Sequence, residues 1–229
     1  MKLSELRTLA ISTSFLVLCA ACSSADKDGI DLTTPWLGPL HGFERVGGKE
    51  GFGVFLKNTS GATDRFERVV ISAPEFIVSA GSDLEAINPA AYEKIKGLFA
   101  ETFRQELAKQ ISVANTGAER NSASHLIQVA LTNVTVTRKT NSATAATLSD
   151  LTFSFEGATV EAEIRVRRSN ARRAAIILPA NAEKTTWNNL RAQFTDIARR
   201  AATEAGKARD AINAKAGQAP PAVKTPAKK

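Results

Sequence analysis

Apolar residues recur at helical spacing in two long stretches of this chain. The first, residues 88–111, opens with Asn88, which suits a helix N-cap, and Pro89, which suits the first helical position. The second, residues 185–213, opens with two threonines, either of which is placed to cap a helix. The apolar positions are Tyr92, Ile95, Phe99, Phe103, Leu107 and Ile111, then Trp187, Leu190, Phe194, Ile197, Ala201 and Ala205. Each stripe predicts a helix that packs one face on a core.

Runs rich in β-branched and aromatic residues predict the strands of a sheet. Residues 66–78 (FERVVISAPEFIV) predict a first strand, and Pro74 places its far end at a sheet edge or bend. Residues 125–138 (HLIQVALTNVTVTR) predict a second strand. The apolar residues change parity along it, so a bulge near Thr132 or Asn133 is needed to keep them on one face.

A third strand is predicted over residues 151–168. It alternates between an apolar face and a charged face, which indicates an antiparallel strand buried on one side. The apolar face holds Val160, Ala162, Ile164 and Val166, and the other face holds Thr159, Glu161, Glu163, Arg165 and Arg167. A turn at residues 169–171 then returns the chain as a partner strand over residues 174–178.

Glycine and small polar residues fill the connections. Residues 38–61 hold seven of the 14 glycines and predict a mobile loop or an irregular edge hairpin. The run VGGKEGFGVFLKN within them lacks the helix that follows a phosphate-binding loop, so we do not assign nucleotide binding to it. Residues 115–124 are predicted to be a polar loop, and residues 140–150 a flexible one.

The predicted order strand–helix–strand–strand–strand–helix is typical of an α+β domain. We expect a small, mostly antiparallel sheet with two helices packed on one face. Residues 45–213 contain these elements as a single domain, long enough to bury a core. Residues 214–229 are rich in Ala, Pro and Lys and are predicted to be a disordered tail.

The chain begins with the features of an export signal. Residues 1–21 join a basic start to the apolar run Leu9–Leu18, which is too short to span a bilayer as a helix. The run ends in two alanines and Cys22, which resembles the bacterial lipoprotein signal and predicts lipid attachment at Cys22. The alternative is an ordinary secretory leader cut near Ala21 or Ala25.

Lipid attachment makes a membrane the first predicted partner. By the sorting rule of enteric lipoproteins, Ser23 after the cysteine implies the outer membrane, with the domain facing the periplasm. Residues 22–44 are then predicted to be a tether. Trp36, its large apolar residue, either docks on the domain or touches the membrane interface.

The composition narrows the classes of partner. The net charge of +7 suits an anionic partner, although the excess is also explained by solubility alone. Export makes nucleic acid an unsuitable partner. Both cysteines, Cys19 and Cys22, lie at the end of the leader, so neither a disulfide framework nor a thiolate metal site is predicted.

The titratable residues do not form a recognisable catalytic motif. His41 and His125 are far apart in sequence and lack cysteine partners, so neither a metal nor a cofactor is predicted. Glu161 and Glu163 stand beside arginines on one strand face, a pattern that favours cross-strand ion pairs over acid–base catalysis. We therefore predict that the protein is not an enzyme.

Arginines cluster around the predicted hairpin of the third strand. If the end of the second strand lies beside this hairpin, the two basic groups form one cationic end of the sheet. Such an end could hold phosphates of lipopolysaccharide or phospholipid, because guanidinium forks match phosphate geometry. The alternative is a solvated hairpin tip. The residues concerned are Arg165, Arg167, Arg168, Arg172 and Arg173 at the hairpin, with Arg138 and Lys139 at the end of the second strand.

The order of these segments resembles a family of Gram-negative lipoproteins catalogued as domain of unknown function 3313. The resemblance covers about residues 45–212 and rests on GGKEG, FERVVISAPEF, the helix from Asn88, LIQVALTNVTVTR, ATVEAEIRVR and a closing helix with W-x6-F followed by Asp196-Ile197-Ala198. It implies an envelope lipoprotein without an assigned activity.

The leading hypothesis is therefore a non-enzymatic envelope lipoprotein that binds or scaffolds a protein partner or an anionic envelope component. One alternative is an accessory lipoprotein of an envelope transporter or assembly machine. A hydrolase acting on cell wall or lipid is a further alternative, which requires a deep pocket with converging catalytic side chains.

Overall fold

The computed structural model describes residues 32–49, 51–57, 65–80, 82–83, 88–138 and 147–217. The predicted leader, the predicted lipidation site Cys22, Lys139 and residues 218–229 of the predicted tail lie outside these ranges. Residues 214–217, which the sequence assigns to the disordered tail, are the end of the last helix, so that part of the prediction is wrong. None of the helices within the described ranges combines the length and the apolar character needed to cross a membrane.

The described residues fold into a mixed sheet and three α-helices, so the predicted α+β class is confirmed. The strands are β1 (Thr33–Thr34), β2 (Gly38–Pro39), β3 (Phe43–Gly47), β4 (Gly53–Lys57), β5 (Val69–Ile71), β6 (Glu75–Val78), β7 (His125–Arg138), β8 (Leu151–Ser154), β9 (Thr159–Val166), β10 (Arg172–Pro179) and β11 (Thr185–Thr186). The helices are α1 (Pro89–Ala108), α2 (Gly117–Ser122) and α3 (Trp187–Gly217). A 3₁₀ turn, Leu148–Asp150, leads into β8.

The main sheet is mostly antiparallel and is built around β7. The strand order is β11-β8-β7-β9-β10-β4-β3, with every neighbouring pair antiparallel. The short strands β5 and β6 pair with β7 in the parallel sense. β7 therefore pairs with four of the described strands. Its first and last residues are used below to locate the two ends of the sheet.

One residue in β7 corrects the parity of its apolar side chains, as the sequence predicts. β6 pairs Phe76 with Leu131 and Val78 with Val134, so β7 carries one residue more than β6 over this stretch. Asn133 occupies the bulge, is exposed and has a φ of 59°. Val134 consequently points into the same core as Leu131.

Two predicted strands are each divided in the structure. The first becomes β5 and β6, separated at residues 72–74, where Pro74 lacks a backbone donor. The third becomes β8 and β9, separated by a turn in which the Ala158 N–H donates to the Phe155 carbonyl at 3.0 Å. Gly157 has a φ of 74° in that turn, a conformation that costs glycine little.

The glycine-rich segment forms the hairpin β3–β4 at one edge of the sheet. Of the two predictions for this segment, a mobile loop or an irregular edge hairpin, the structure has the hairpin. Gly53 has a φ of 137°, and a Cβ there would collide with the carbonyl oxygen of Gly47. β3 pairs Arg45 with Phe55 and Gly47 with Val54, which leaves Val46 as an extra, exposed residue in the edge strand.

The prediction of a plain loop at residues 115–124 is wrong, because that segment contains α2. Thr116 caps this helix and Glu119 returns the bond, which closes a capping box. The apolar stripe that usually predicts a helix is missing from these six residues, and none of them is buried.

Helices α1 and α3 pack together on one face of the sheet, as predicted. Their stripes join the apolar faces of β7, β8 and β9 in the main core. Phe194 lies at its centre, with ring centroids 5.3 Å from Phe99, 5.9 Å from Phe76 and 6.2 Å from Phe155. Fully burying such a side chain contributes about 1.5–3 kcal/mol to folding.

The opposite face of the sheet is covered by the N-terminal hairpin β1–β2. Leu37, Leu40 and Phe43 pack there on Phe55 and Ile177 in a second hydrophobic cluster. Residues 32–44 thus belong to the fold, although the sequence places them in the tether. These residues fold with the domain because their apolar side chains cover one face of the sheet. The alternation of residues along the strands alone predicts that this face is exposed.

Candidate functional site

The end of the sheet where β9 turns into β10 is called here the hairpin end. β7 starts at this end, because His125 pairs with Val166. β5 starts there as well, because Val69 pairs with His125. The turn at residues 167–171 is therefore brought beside the segments that precede β5 and β7.

The two predicted basic groups do not form one surface. Arg138 pairs with Leu151, at the end of β7 remote from the hairpin end. β7 has 14 residues, and at about 3.3 Å per residue its ends are separated by about 40 Å. The expectation that Arg138 joins the hairpin arginines is thus wrong, and Lys139 lies outside the described residues.

Two of the hairpin arginines neutralise a buried carboxylate. The Nε atoms of Arg165 and Arg172 lie 2.6 and 2.8 Å from the two carboxylate oxygens of Glu163. Arg172 also donates to the Pro39 carbonyl at 3.1 Å and stacks over the Phe43 ring. The cross-strand ion pair predicted for Glu163 is confirmed. Arg165 and Arg172 thus stabilise the fold by pairing with a buried carboxylate.

Glu161 has a different role from the predicted ion pair. Its carboxylate is 1% exposed and accepts hydrogen bonds from the N-terminal hairpin. The donors are the hydroxyl of Thr34, the N–H of Trp36 at 3.3 Å and the N–H of Leu37 at 3.1 Å. The hydroxyl of Thr132 donates from the sheet at 3.3 Å. Glu161 thereby docks the hairpin onto the sheet, and Trp36 docks with it.

The other exposed hairpin arginines line an open groove at the hairpin end. Arg167 and Arg168 line this groove together with Arg65, which precedes β5. The groove has a volume of about 810 Å³. Its remaining lining is mainly polar and consists of Glu67, Asn121, Ser122, Ala123, Ser124 and Val166. Arg173 is buried and is absent from this lining.

Backbone hydrogen bonds hold the walls of this basic groove. The N–H of Arg167 donates to the Ser124 carbonyl at 2.9 Å, and the N–H of Ser124 donates to the Arg68 carbonyl at 3.1 Å. The guanidinium of Arg167 also donates to the carbonyl of Arg120. Since guanidinium carries five N–H donors, this bond fixes the side chain and leaves other donors for a ligand.

The charge of the groove is positive. Its lining contains three arginines against one carboxylate, that of Glu67. The nearby carboxylate of Glu119 is engaged in capping α2, where it accepts from the Asn115 N–H at 2.9 Å and the Thr116 N–H at 3.1 Å. These bonds hold the pKa of Glu119 below its ordinary value of 4.5. The groove can therefore hold an anion between its arginine forks.

Neither of the two histidines considered as metal ligands in the sequence lines this groove. His125 is fully buried beneath it, stacked on Phe66 with ring centroids 4.7 Å apart, and its Nδ1 lies 2.9 Å from the Ser124 hydroxyl. His41 is exposed outside the groove lining. Across the described ranges, His, Cys, Asp and Glu do not gather in a group of three that could hold a metal ion.

A smaller groove of about 360 Å³ lies at the opposite end of the sheet, beside the turns at residues 155–158 and 179–182. Its described lining includes Glu156 and Phe52 but neither lysine nor arginine. The described linings of the two grooves thus differ in charge.

Comparison with known proteins gives only distant likenesses. Family models and curated protein sequences yield no match to this chain. A neuraminyllactose-binding hemagglutinin homologue from Helicobacter pylori aligns at 8% identity and a TM-score of 0.41, over 70% of this chain and 95% of that one. The PelC dodecamer from Paraburkholderia phytofirmans aligns at 11% identity and a TM-score of 0.34, over 66% and 96%.

A Xanthomonas campestris protein of domain-of-unknown-function family 330 aligns at 11% identity and a TM-score of 0.31, over 71% of this chain and 96% of that chain. These likenesses are too remote to bear on function, which has to be argued from the groove itself.

Proposed function

We propose that this protein is a lipid-anchored envelope module that binds a phosphate-bearing anion in the basic groove and does not transform it. The observation that carries the proposal is the convergence of Arg65, Arg167 and Arg168 on one open groove. Arg167 and Arg168 follow β9, whereas Arg65 precedes β5. The parallel pairing of β5 with β7 brings these two segments to the same end of the sheet.

The donor set suits a phosphate monoester or diester. Arginine forks bind phosphate oxygens in pairs, and the amide of Asn121 adds a neutral donor at the same groove. The single carboxylate, Glu67, leaves the lining net positive. The open shape suits a headgroup presented from outside, since an enclosed substrate pocket would surround its ligand.

The anchor at Cys22 and the outer-membrane location remain predictions that the leader supports. They place the domain among phosphate-rich envelope lipids. Binding without turnover fits the burial of His125, because a ligand in the groove cannot reach its imidazole.

A titration with glycerol 3-phosphate, the soluble part of a phospholipid headgroup, tests this proposal. The mature chain carrying Cys22→Ser would be followed by nuclear magnetic resonance. We expect shifts at residues 121–124 and 167–168 that disappear with added salt, because such contacts are screened within about 10 Å at 0.1 M salt. Glycerol should give no shifts.

The double variant Arg167→Ala/Arg168→Ala should lose these shifts. The matched control Lys94→Ala/Arg104→Ala removes two exposed charges from α1 and should keep them. Equal shifts in both variants, or an unresponsive groove in the parent chain, would refute the proposal.

A further inference from the structure

We infer that the hairpin end is the face that the domain turns toward its membrane, with the basic groove against anionic phospholipid headgroups. This inference rests on the proposed function, since it uses the same arginines. It adds the orientation of the whole domain and names the ligand as the surface that holds the lipid on Cys22.

The first observation is where the chain enters the fold. Thr33 pairs with Pro39, and the Leu40 N–H donates to the Leu32 carbonyl at 2.8 Å. The Pro39 carbonyl in turn accepts from Arg172, beside the β9–β10 turn. Leu32, the first described residue, therefore lies at the hairpin end, whereas the tip of the β1–β2 hairpin reaches inward to Glu161.

The second observation is the length of chain available. Nine residues lie between Cys22 and Leu32, and the tether spans at most about 36 Å when fully extended but only about 18 Å on average as a flexible coil. The turns at residues 155–158 and 179–182 lie one length of β9 from the hairpin end, about 23 Å for its eight residues. A lipid on Cys22 consequently lets the hairpin end touch the bilayer with a relaxed tether, whereas contact through the opposite end needs a largely extended one.

The third observation is the difference in charge between the two groove linings. Arg65, Arg167 and Arg168 line the groove at the hairpin end against the single carboxylate of Glu67. The described lining of the groove at the opposite end contains Glu156 and neither lysine nor arginine, and Arg200 beside it is bound to the Pro179 and Ala180 carbonyls. Anionic headgroups attract basic side chains within a Debye length of the surface. Tether and charge thus favour the same orientation.

The mature lipidated chain offers a clean way to measure this orientation. Cys19 and Cys22 are the only cysteines in the sequence, so a lipidated protein without its leader has no free thiol. Ser169→Cys in the β9–β10 turn and Glu156→Cys at the opposite end, both exposed and both outside the lining of the basic groove, can each carry one fluorophore. Energy transfer to acceptor-labelled headgroups then reports the distance of each end from the bilayer.

On vesicles of phosphatidylcholine with phosphatidylglycerol, the Ser169→Cys label should lose most of its emission and the Glu156→Cys label should lose clearly less. Phosphatidylcholine alone, or Arg167→Ala/Arg168→Ala on the mixed vesicles, should restore much of the Ser169→Cys emission. The Lys94→Ala/Arg104→Ala pair should leave the quenching unchanged.

The outcomes separate this inference from the proposed function. Glycerol 3-phosphate binding together with an unquenched Ser169→Cys label would overturn the orientation and leave the groove as an anion site for another partner. Quenching that persists on phosphatidylcholine and in the arginine variant would come from the tether alone and would overturn the role of the groove.

Discussion

Asn133 shows how one side chain governs the longest strand of this protein. Its φ of 59° lies in the left-handed region, which asparagine tolerates better than most residues. The bulge it occupies returns Val134 and Val136 to the main core. Had this residue been unable to adopt that φ, the second half of β7 would turn its valines to the wrong face.

Substitution at this bulge gives a prediction at the residue scale. Asn133→Gly should leave the free energy of unfolding nearly unchanged, because glycine adopts positive φ freely. Asn133→Val should lower it by about 1–2 kcal/mol, since a β-branched residue is strained there. Urea unfolding measures both, with Thr137→Val on the exposed side of the same strand as a control. Equal stability of the valine and glycine variants would contradict this account of the bulge.

Single residues also mark what local patterns can and cannot predict. The change of parity in β7 is visible in sequence and led to Asn133 directly. The arginine cluster led to Arg167 and Arg168, which do line the groove. Arg65 was missed, because it lies 102 positions before Arg167 in the chain, and only the parallel pairing of β5 with β7 joins them.

Among the elements, α2 depends most directly on one ionised group. The bonds from Asn115 and Thr116 favour the charged form of Glu119 and lower its pKa below 4.5. A carboxylate with a lowered pKa in the folded state stabilises that state above its unfolded pKa. The contribution is lost as the pH falls through the lower pKa of the folded protein.

We therefore expect α2 to fray in acid before the rest of the domain unfolds. The amide signals of Asn115 and Thr116 should move with a midpoint below pH 4.5, which nuclear magnetic resonance measures. Glu119→Gln removes the titrating group and should abolish that movement. A midpoint at or above the ordinary value would show that the capping bonds are not formed in solution.

Elements with a buried stripe were predictable, whereas elements made by capping or pairing were not. The helices α1 and α3 follow from apolar spacing alone. α2 lacks buried residues and arises from its caps, and the two-residue strands β1, β2 and β11 arise from pairing. Such elements carry too few residues for a periodic signal.

At the scale of the whole molecule, two hydrophobic clusters lie on opposite faces of the sheet. The second face looked exposed in sequence because it carries Glu161 and Glu163. The segment that covers it lies more than 100 residues away and brings its own N–H donors to Glu161. The alternation of residues along one strand holds no information about a covering segment that lies so far away in the sequence.

Glu161→Ala should release the N-terminal hairpin while the helix layer stays folded, because the N–H groups it satisfies lose their acceptor. An unmet buried hydrogen bond costs about 1–3 kcal/mol. Trp36 lies on this hairpin and Trp187 lies against the main core, and these are the only two tryptophans. In a Trp187→Phe background, acrylamide quenching of Trp36 should therefore rise.

The exposed residue Glu156 offers the matched control, since Glu156→Ala should leave Trp36 protected. If Trp36 in the Glu161→Ala variant were quenched no more than in the parent, the hairpin would be held by its apolar contacts alone.

The irregular edge strand β3 affects whether neighbouring molecules can join their sheets at high local concentration. Molecules held by a lipid diffuse in two dimensions at high local concentration, where an unpaired, flat strand invites edge-to-edge joining of sheets and aggregation. Val46 interrupts the regular spacing of donors and acceptors, and Glu44 and Arg45 would place charge in any such joint. If the proposed anchor holds the protein on a membrane, the bulge at this edge disfavours edge-to-edge pairing between neighbouring molecules.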